Sequence, residues 1–399
     1  MSSETENNDS QLRGATRLTV DAIVGVVDIV EAMHRTITTF GGLFAGDNKE
    51  RTTGLTGMVY SNIRSVTNLV GGGLDMALEL LATQLGELPS SQGREAVLAA
   101  LNGVIGDHLA HTNNPLAIPM QLRQEGKPFE PDREEIARAG GRILLMIHGS
   151  CGNDIQWKRR GHDHGAMLAS ELGFVPVYLH YNTGRHISEN GSDLADLLET
   201  LVEDVPEITS LSIIAHSMGG LVARSACHQA EEDERHWRSL LDKVVFLATP
   251  HHGALWERYG NWADNILQIS PYSAPFARLG MIRSAGVTDL RYGNICHQDW
   301  QNVERFKLAG DPRCAIPLPE GVDCYTVAAL SSPEAGQFAD HFMGDGLVQI
   351  DSALGRHSDP NMDLQFAESH QLEVRDISHL DVLCDPRVYE ALEGWFTDS

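Results

Sequence analysis

From residue 142 onward the chain repeats one pattern, a short apolar run followed by a segment of helical spacing. The apolar runs are Ile143–Ile147, Val175–Leu179, Leu211–Ala215, Val244–Ala248 and Tyr325–Ala329, with a shorter one near Leu372–Ile377. Between them, His164–Leu172, Ser192–Val205 and Met218–Glu231 read as helices. Such short apolar runs suit strands buried on both faces, and helices between them make neighbouring strands parallel. The expected fold is therefore α/β, a mostly parallel central sheet with helices on both faces. Sites in such sheets form beyond the carboxyl ends of the strands.

The first third reads differently. Val20, Ile23, Val27, Val30, Met33 and Ile37 recur at three- and four-residue spacing and give one apolar helix face. A second run passes through Val59, Ile63, Val66, Val70, Leu74, Leu78, Leu81 and Leu85, interrupted by Gly71, Gly72 and Gly73. A third, from Arg94 to about His111, ends before Asn114-Pro115. This divides the chain into an N-terminal helical region, 1–130, and an α/β domain, 131–399. The apolar helix faces need a cover. Either they pack on the same chain as an extended cap, or they make an oligomer or lipid-surface contact, so a homo-oligomer through these helices stays open. From about Leu255 to Leu318 the strand rhythm breaks in a stretch holding Trp256, Trp262 and Trp300, read as a cap or lid insertion.

A formal net charge of −25 argues against nucleic acid or an anionic membrane surface as a partner. No stretch reaches the roughly 18 uninterrupted apolar residues of a membrane span. The start, MSSETENNDS, has neither the basic nor the apolar region of a secretory signal, and a cytoplasmic location is expected. The six cysteines lack CxxC spacing and are most simply reduced thiols.

Leu211 to Ala223 read LSIIAHSMGGLVA, a strand that breaks at one serine into a helix. At such a turn Ser217 is thrust into the open over a helix N-terminus, where free N–H groups can hold an oxyanion. A serine hydroxyl needs a base within hydrogen-bond reach, and the base needs an orienting anion. Both should follow the serine, acid first, each behind a later strand. The acid candidate is Asp345, in HFMGDGLV between Gly344 and Gly346, with Asp340 and Asp351 as its nearest competitors. The histidine candidate is His379, in ISHLD behind the last apolar run; His370 and His357 are less well placed. Ile143 to Ser150, ILLMIHGS, supplies the oxyanion turn, with the N–H groups of Ser150 and Met218 as donors and His148 as a brace.

Taken together, HGS, AHSMGG, LATPHHGA, GDGLV and ISHLD resemble the α/β-hydrolase superfamily in its bacterial lipase and esterase branch, over Arg142 to Phe396. The resemblance implies Ser217 as nucleophile, His379 as general base and acid, Asp345 as orienter, and Ser150 and Met218 as oxyanion donors. It implies cleavage of a small-molecule or lipid-like carboxylic ester through an acyl-enzyme; no cofactor is expected and no metal ligand is assigned, although some lipases carry a structural zinc or calcium. Ala215 departs from the glycine that most members carry. The same residues would serve a thioesterase, amidase or acyltransferase, and a binding protein could keep the fold without turnover.

Weaker signals stay open. The histidines of Thr249-Pro-His-His-Gly253 and Gly161-His-Asp-His-Gly165 suit metal ligation, but solvated or helix-starting histidines are the favoured reading. Tyr181-Asn-Thr-Gly-Arg-His186 either shapes the pocket floor or pins the following helix. Cys151, beside the oxyanion turn, is a candidate for modification by thiol reagents, which would block the site without the thiol being catalytic.

Overall fold

Adjacent apolar residues in the central strands leave the sheet on opposite sides, and this sets the layering. In β3 (Arg142–Ile147), Ile143, Leu145 and Ile147 join one buried cluster while Leu144 and Met146 join another. In β5 (Ser210–His216) and β6 (Leu241–Leu247), Ile213 and Phe246 lie on the first side, Ile214 and Val245 on the second. A strand apolar on both faces needs a layer on each. On the first side α4 (Ile187–Asp204) and α5 (Met218–Glu232) supply Leu194, Leu198, Leu221 and Val222. On the second, α3 (His164–Leu172) and α8 (Pro386–Thr397) supply Leu168, Val388, Leu392 and Phe396.

The structure, a computed structural model, describes residues 92–254, 284–301, 311, 313–331, 344–345 and 347–397. The first two expected N-terminal helices, residues 255–283, 302–310 and 312 of the expected insertion, Asp340 and Gly346 lie outside the described residues. The remaining elements are α1 (Gln92–His111), β1 (Gln121–Gln124), β2 (Lys127–Pro128), α2 (Arg133–Arg138), β4 (Val175–His180), α6 (Ala285–Asp289), β7 (Asp323–Leu330), α7 (Ile350–Ala353) and β8 (Gln371–Arg375). Among the described residues the sheet has eight strands in the order β2-β1-β4-β3-β5-β6-β7-β8. Strands β3 to β8 run parallel, and β1 is antiparallel to both β2 and β4. The sheet thus begins ahead of residue 131. The chain steps from β3 to β4 in one direction and from β5 to β6 in the other. The order therefore reverses between β3 and β5, where sheets of this kind open a crevice at their carboxyl edge.

Helix α1, the third of the expected runs, packs on this body. Leu98, Leu101, Val104, Ile105 and Leu109 are all buried. It approaches closely because Gly103 faces Cys151 and Gly106 faces Asn182, where a Cβ would overlap the facing side chain. A glycine inside a helix costs about 1 kcal/mol relative to alanine. Here that cost is offset by direct bonds: Asn182 Nδ2 donates to the Gly106 carbonyl at 2.9 Å and Ser284 Oγ to that of Gly103 at 2.6 Å. Between the two glycines the helix is kinked at Ile105 (φ −132, ψ 21).

Residues 284–301, within the stretch read as a cap insertion, pack into the body. Leu290, Ile295 and Cys296 belong to the first buried cluster. Asp289 Oδ2 accepts from the Ile187 amide at 2.9 Å, and Ser225 Oγ donates to the Ile295 carbonyl at 2.6 Å. Among the described residues no helix is long and apolar enough to cross a membrane.

Candidate active site

Ser217 stands between the last residue of β5 and the first of α5, with φ 54 and ψ −125. A non-glycine residue there stores strain of order 1–3 kcal/mol, so its neighbours must hold it. Ser217 N donates to the Leu247 carbonyl at 2.8 Å, and its own carbonyl accepts from Gly220 N at 3.0 Å. The helix can start this close to the sheet only because Gly219 lacks a side chain. A Cβ there would lie 2.6 Å from both the Ile147 and His148 carbonyl oxygens. Ser217 is half-buried, with its neighbours on either side buried.

His379 and Asp345 arrive from later strands. Asp345 lies in the segment after β7 and His379 in the loop after β8. His379 Nδ1 donates to Asp345 Oδ2 at 2.6 Å, and both side chains are buried. The other carboxylate oxygen, Oδ1, accepts from the Leu347 and Val348 amides at 2.9 and 2.8 Å, so the carboxylate is held at both ends. Gly344 permits this turn, since a Cβ there would collide with the Val348 carbonyl. One cleft is lined by Ser217 and His379 together with Gly149, Ser150 and His216. Its other walls are largely apolar, from Pro250, Ala254, Leu290, Leu347, Val348 and Leu380, with Gln156 as a further polar group. A serine on a strand-to-helix elbow, followed in chain order by the aspartate and then the histidine, completes the pattern. The fold is that of the α/β-hydrolases.

The rival residues lie elsewhere. Asp351 is 78% exposed and faces Arg356 at 3.9 Å. His370 Nδ1 donates to the Cys324 carbonyl at 3.1 Å, and the His357 ring lies against His252.

The turn after β3 is held from below. Tyr181 Oη donates to the His148 carbonyl at 2.9 Å, and the two rings stack at 4.5 Å. Thr183 Oγ1 accepts from Cys151 N at 3.1 Å. The segment Tyr181–His186 thus braces the turn after β3 as well as meeting the start of α4, where Asn190 Nδ2 donates to the Asn182 carbonyl. His148 is buried, its Nδ1 donates to the Gly149 carbonyl at 2.9 Å, and burial pushes its pKa down to about 4. A neutral imidazole so placed is a brace. Among the described residues the Ser150 amide has no hydrogen-bond partner. Met218 N opens helix α5 and so has no intrahelical acceptor.

Of the two histidine pairs, His164, His251 and His252 are buried and His162 is half-buried. His251 sits between Phe246 and Phe366, His252 Nε2 donates to the Gly355 carbonyl at 3.0 Å, and burial lowers both pKa values. His164 opens α3, donates through Nε2 to the Val382 carbonyl at 2.8 Å, and accepts from His162 at 2.7 Å. Among the described residues no group of three or more His, Cys, Asp or Glu side chains is placed to hold a metal ion.

Cys151 overturns its expectation. It is buried beneath α1, and burial pushes its thiol up to about 11, which disfavours the reactive thiolate. N-ethylmaleimide is expected to label exposed Cys314 and leave ester hydrolysis unchanged. Peptide mapping that found Cys151 modified in step with lost activity would contradict this.

Sequence reasoning passed over His216 and Gln156. The only signal for His216 was its place beside the serine; for Gln156 there was none.

A family described as a domain of unknown function, DUF7379, matches residues 116–290. No curated protein matches the sequence. Three similar solved structures are the mature lipase BlEst2 of Bacillus licheniformis, EstA from Clostridium botulinum and lipase 1 from Pelosinus fermentans. The first is 17% identical with a TM-score of 0.43, covering 69% of this chain and 97% of that one. EstA is 11% identical, TM-score 0.41, over 65% and 88% of the two chains. Lipase 1 is 11% identical, TM-score 0.40, over 65% and 99%.

Proposed function

We propose that the protein is a serine hydrolase that cleaves carboxylic esters through an acyl-enzyme. The observation that carries the proposal is the buried 2.6 Å bond from His379 Nδ1 to Asp345 Oδ2, set beside a serine on a strand-to-helix elbow. Ser217 Oγ attacks the ester carbonyl carbon as His379 Nε2 takes its proton. The Asp345 carboxylate, held by two backbone amides, stabilises the imidazolium through Nδ1–H. The oxyanion is received by the N–H groups of Ser150 and Met218, each such donor lowering the barrier by about 2.7–4 kcal/mol. His379 then returns the proton to the leaving alkoxide, and the same residues direct water onto the acyl-enzyme. The apolar walls from Pro250, Leu290 and Leu347 suit the hydrocarbon part of an ester. All six cysteines are free thiols, which supports a cytoplasmic site of action.

The test is covalent. A p-nitrophenyl alkylphosphonate should release one equivalent of nitrophenol per chain, abolish hydrolysis of p-nitrophenyl esters, and leave its phosphonyl group on the peptide carrying Ser217. Inactivation without a modified Ser217 would refute the assignment. Running the ester substrates as a chain-length series then separates an esterase from a lipase.

A further inference from the structure

The mechanism above leaves one buried titratable side chain in the cleft wall without a role. His216 is the last residue of β5, 3% exposed, and directly precedes the nucleophile. Its ring lies 4.8 Å from the His379 ring, tilted by 48°. Its Nε2 is 3.1 Å from the His379 carbonyl oxygen, so this nitrogen carries the proton and donates it. The opposite edge of the ring faces the oxyanion turn, where a Cβ on Gly149 would lie 3.0 Å from His216 Nδ1 and 3.0 Å from Ser217 Cβ. One imidazole therefore touches the oxyanion turn, is joined by a single peptide bond to the nucleophile, and holds the backbone of the base.

From this we infer that His216 is a positioning residue, whose Nε2–H fixes the His379 main chain relative to Ser217. The inference rests on the ester-hydrolase reading of the same site. Asp345 orients the His379 ring from its Nδ1 side, but a ring can be correctly turned on a misplaced backbone. The loop after β8 is tied elsewhere by Ile377 N to the Leu330 carbonyl at 3.2 Å and Ser331 Oγ to the Ile377 carbonyl at 3.4 Å. Both bonds refer His379 to β7, two strands away from β5. The His216 bond refers it to the strand that bears the nucleophile. Burial lowers the His216 pKa well below the usual imidazole value, which keeps the ring neutral and the bond the same across the working pH range.

The test compares His216→Gln with His216→Asn. Both side chains are polar amides of similar burial cost, but only the glutamine amide reaches the position of imidazole Nε2. His216→Asn is expected to lower kcat for p-nitrophenyl ester hydrolysis by about 10- to 100-fold with KM within about two-fold of wild type, because small displacements of reacting groups carry penalties of this size. His216→Gln should recover kcat to within about three-fold of wild type. The rate of phosphonate labelling at Ser217 should follow kcat in both variants. A glutamine variant as slow as the asparagine variant, or an asparagine variant at wild-type kcat, would overturn the inference. The two readings fail separately: wild-type rates in a Ser217→Ala control would sink the serine-nucleophile proposal itself.

Discussion

Ser217→Ala is expected to lower kcat for p-nitrophenyl ester hydrolysis by about 10⁴-fold or more, the scale seen when a triad nucleophile is removed. What remains would come from the Ser150 and Met218 amides acting on water attack. The substitution removes one hydroxyl and leaves the elbow in place. Alanine meets the same φ of 54 that serine already adopts, and the bonds through Leu247 and Gly220 involve only the main chain. Thermal unfolding should therefore be nearly unchanged, which separates lost chemistry from lost structure. A variant that unfolds at the wild-type temperature and hydrolyses esters at the wild-type rate would remove Ser217 from the mechanism.

Asp345→Asn is expected to cost about 10⁴-fold in kcat, for a reason specific to this turn. Asp345 Oδ1 is held by the Leu347 and Val348 amides, so the asparagine carbonyl must take that place. The amide NH₂ is then presented to His379 Nδ1, which can meet it only as an acceptor. That choice moves the imidazole proton to Nε2, where it blocks removal of the Ser217 proton. The companion variant Asp351→Asn changes a side chain that is 78% exposed, and its kcat should stay within about two-fold of wild type. Steady-state kinetics on the pair decides the matter; a large loss in Asp351→Asn with little in Asp345→Asn would exchange their roles.

The parts of this site that were legible in the sequence are those with a local signature. The strands β3, β5, β6 and β7 are buried on both faces and appear as short, mostly apolar runs, and Ser217, Asp345 and His379 could be sought behind such runs. Strand β1 left no such trace. Its sequence QLRQ contains one apolar residue, Leu122, because its other positions are only half-buried. Its partner β2 is two exposed residues, Lys127 and Pro128, paired at the sheet's edge. Strand β8 was found only as a short run because its sequence QLEVR buries only Val374 fully.

The interactions that shape the oxyanion turn were illegible for a different reason. Arg123 Nη1 lies 3.3 Å from both Glu95 Oε2 and Asp154 Oδ1, joining α1, β1 and the turn beyond Ser150. Tyr181 and Thr183 reach the same turn from behind β4. None of these residues has a spacing in the chain that announces its partner. The reactivity expected of Cys151 failed on the same ground, since α1 covers it from a separate part of the sequence.

The bond from His216 to the His379 carbonyl closes a loop of 163 residues, and those from His164 to Val382 and from Tyr389 to Glu171 close loops of 218. Contacts of such separation are slow to form, because the intervening chain must first give up its freedom. During synthesis, residues 164 and 216 are made long before their partners exist. The elbow and the turn after β3 can assemble before the segment after β8 has been made, but the loop bearing His379 cannot. Recovery of hydrolysis during refolding is therefore expected to follow the closure of these long-range contacts, which seat the loop bearing His379.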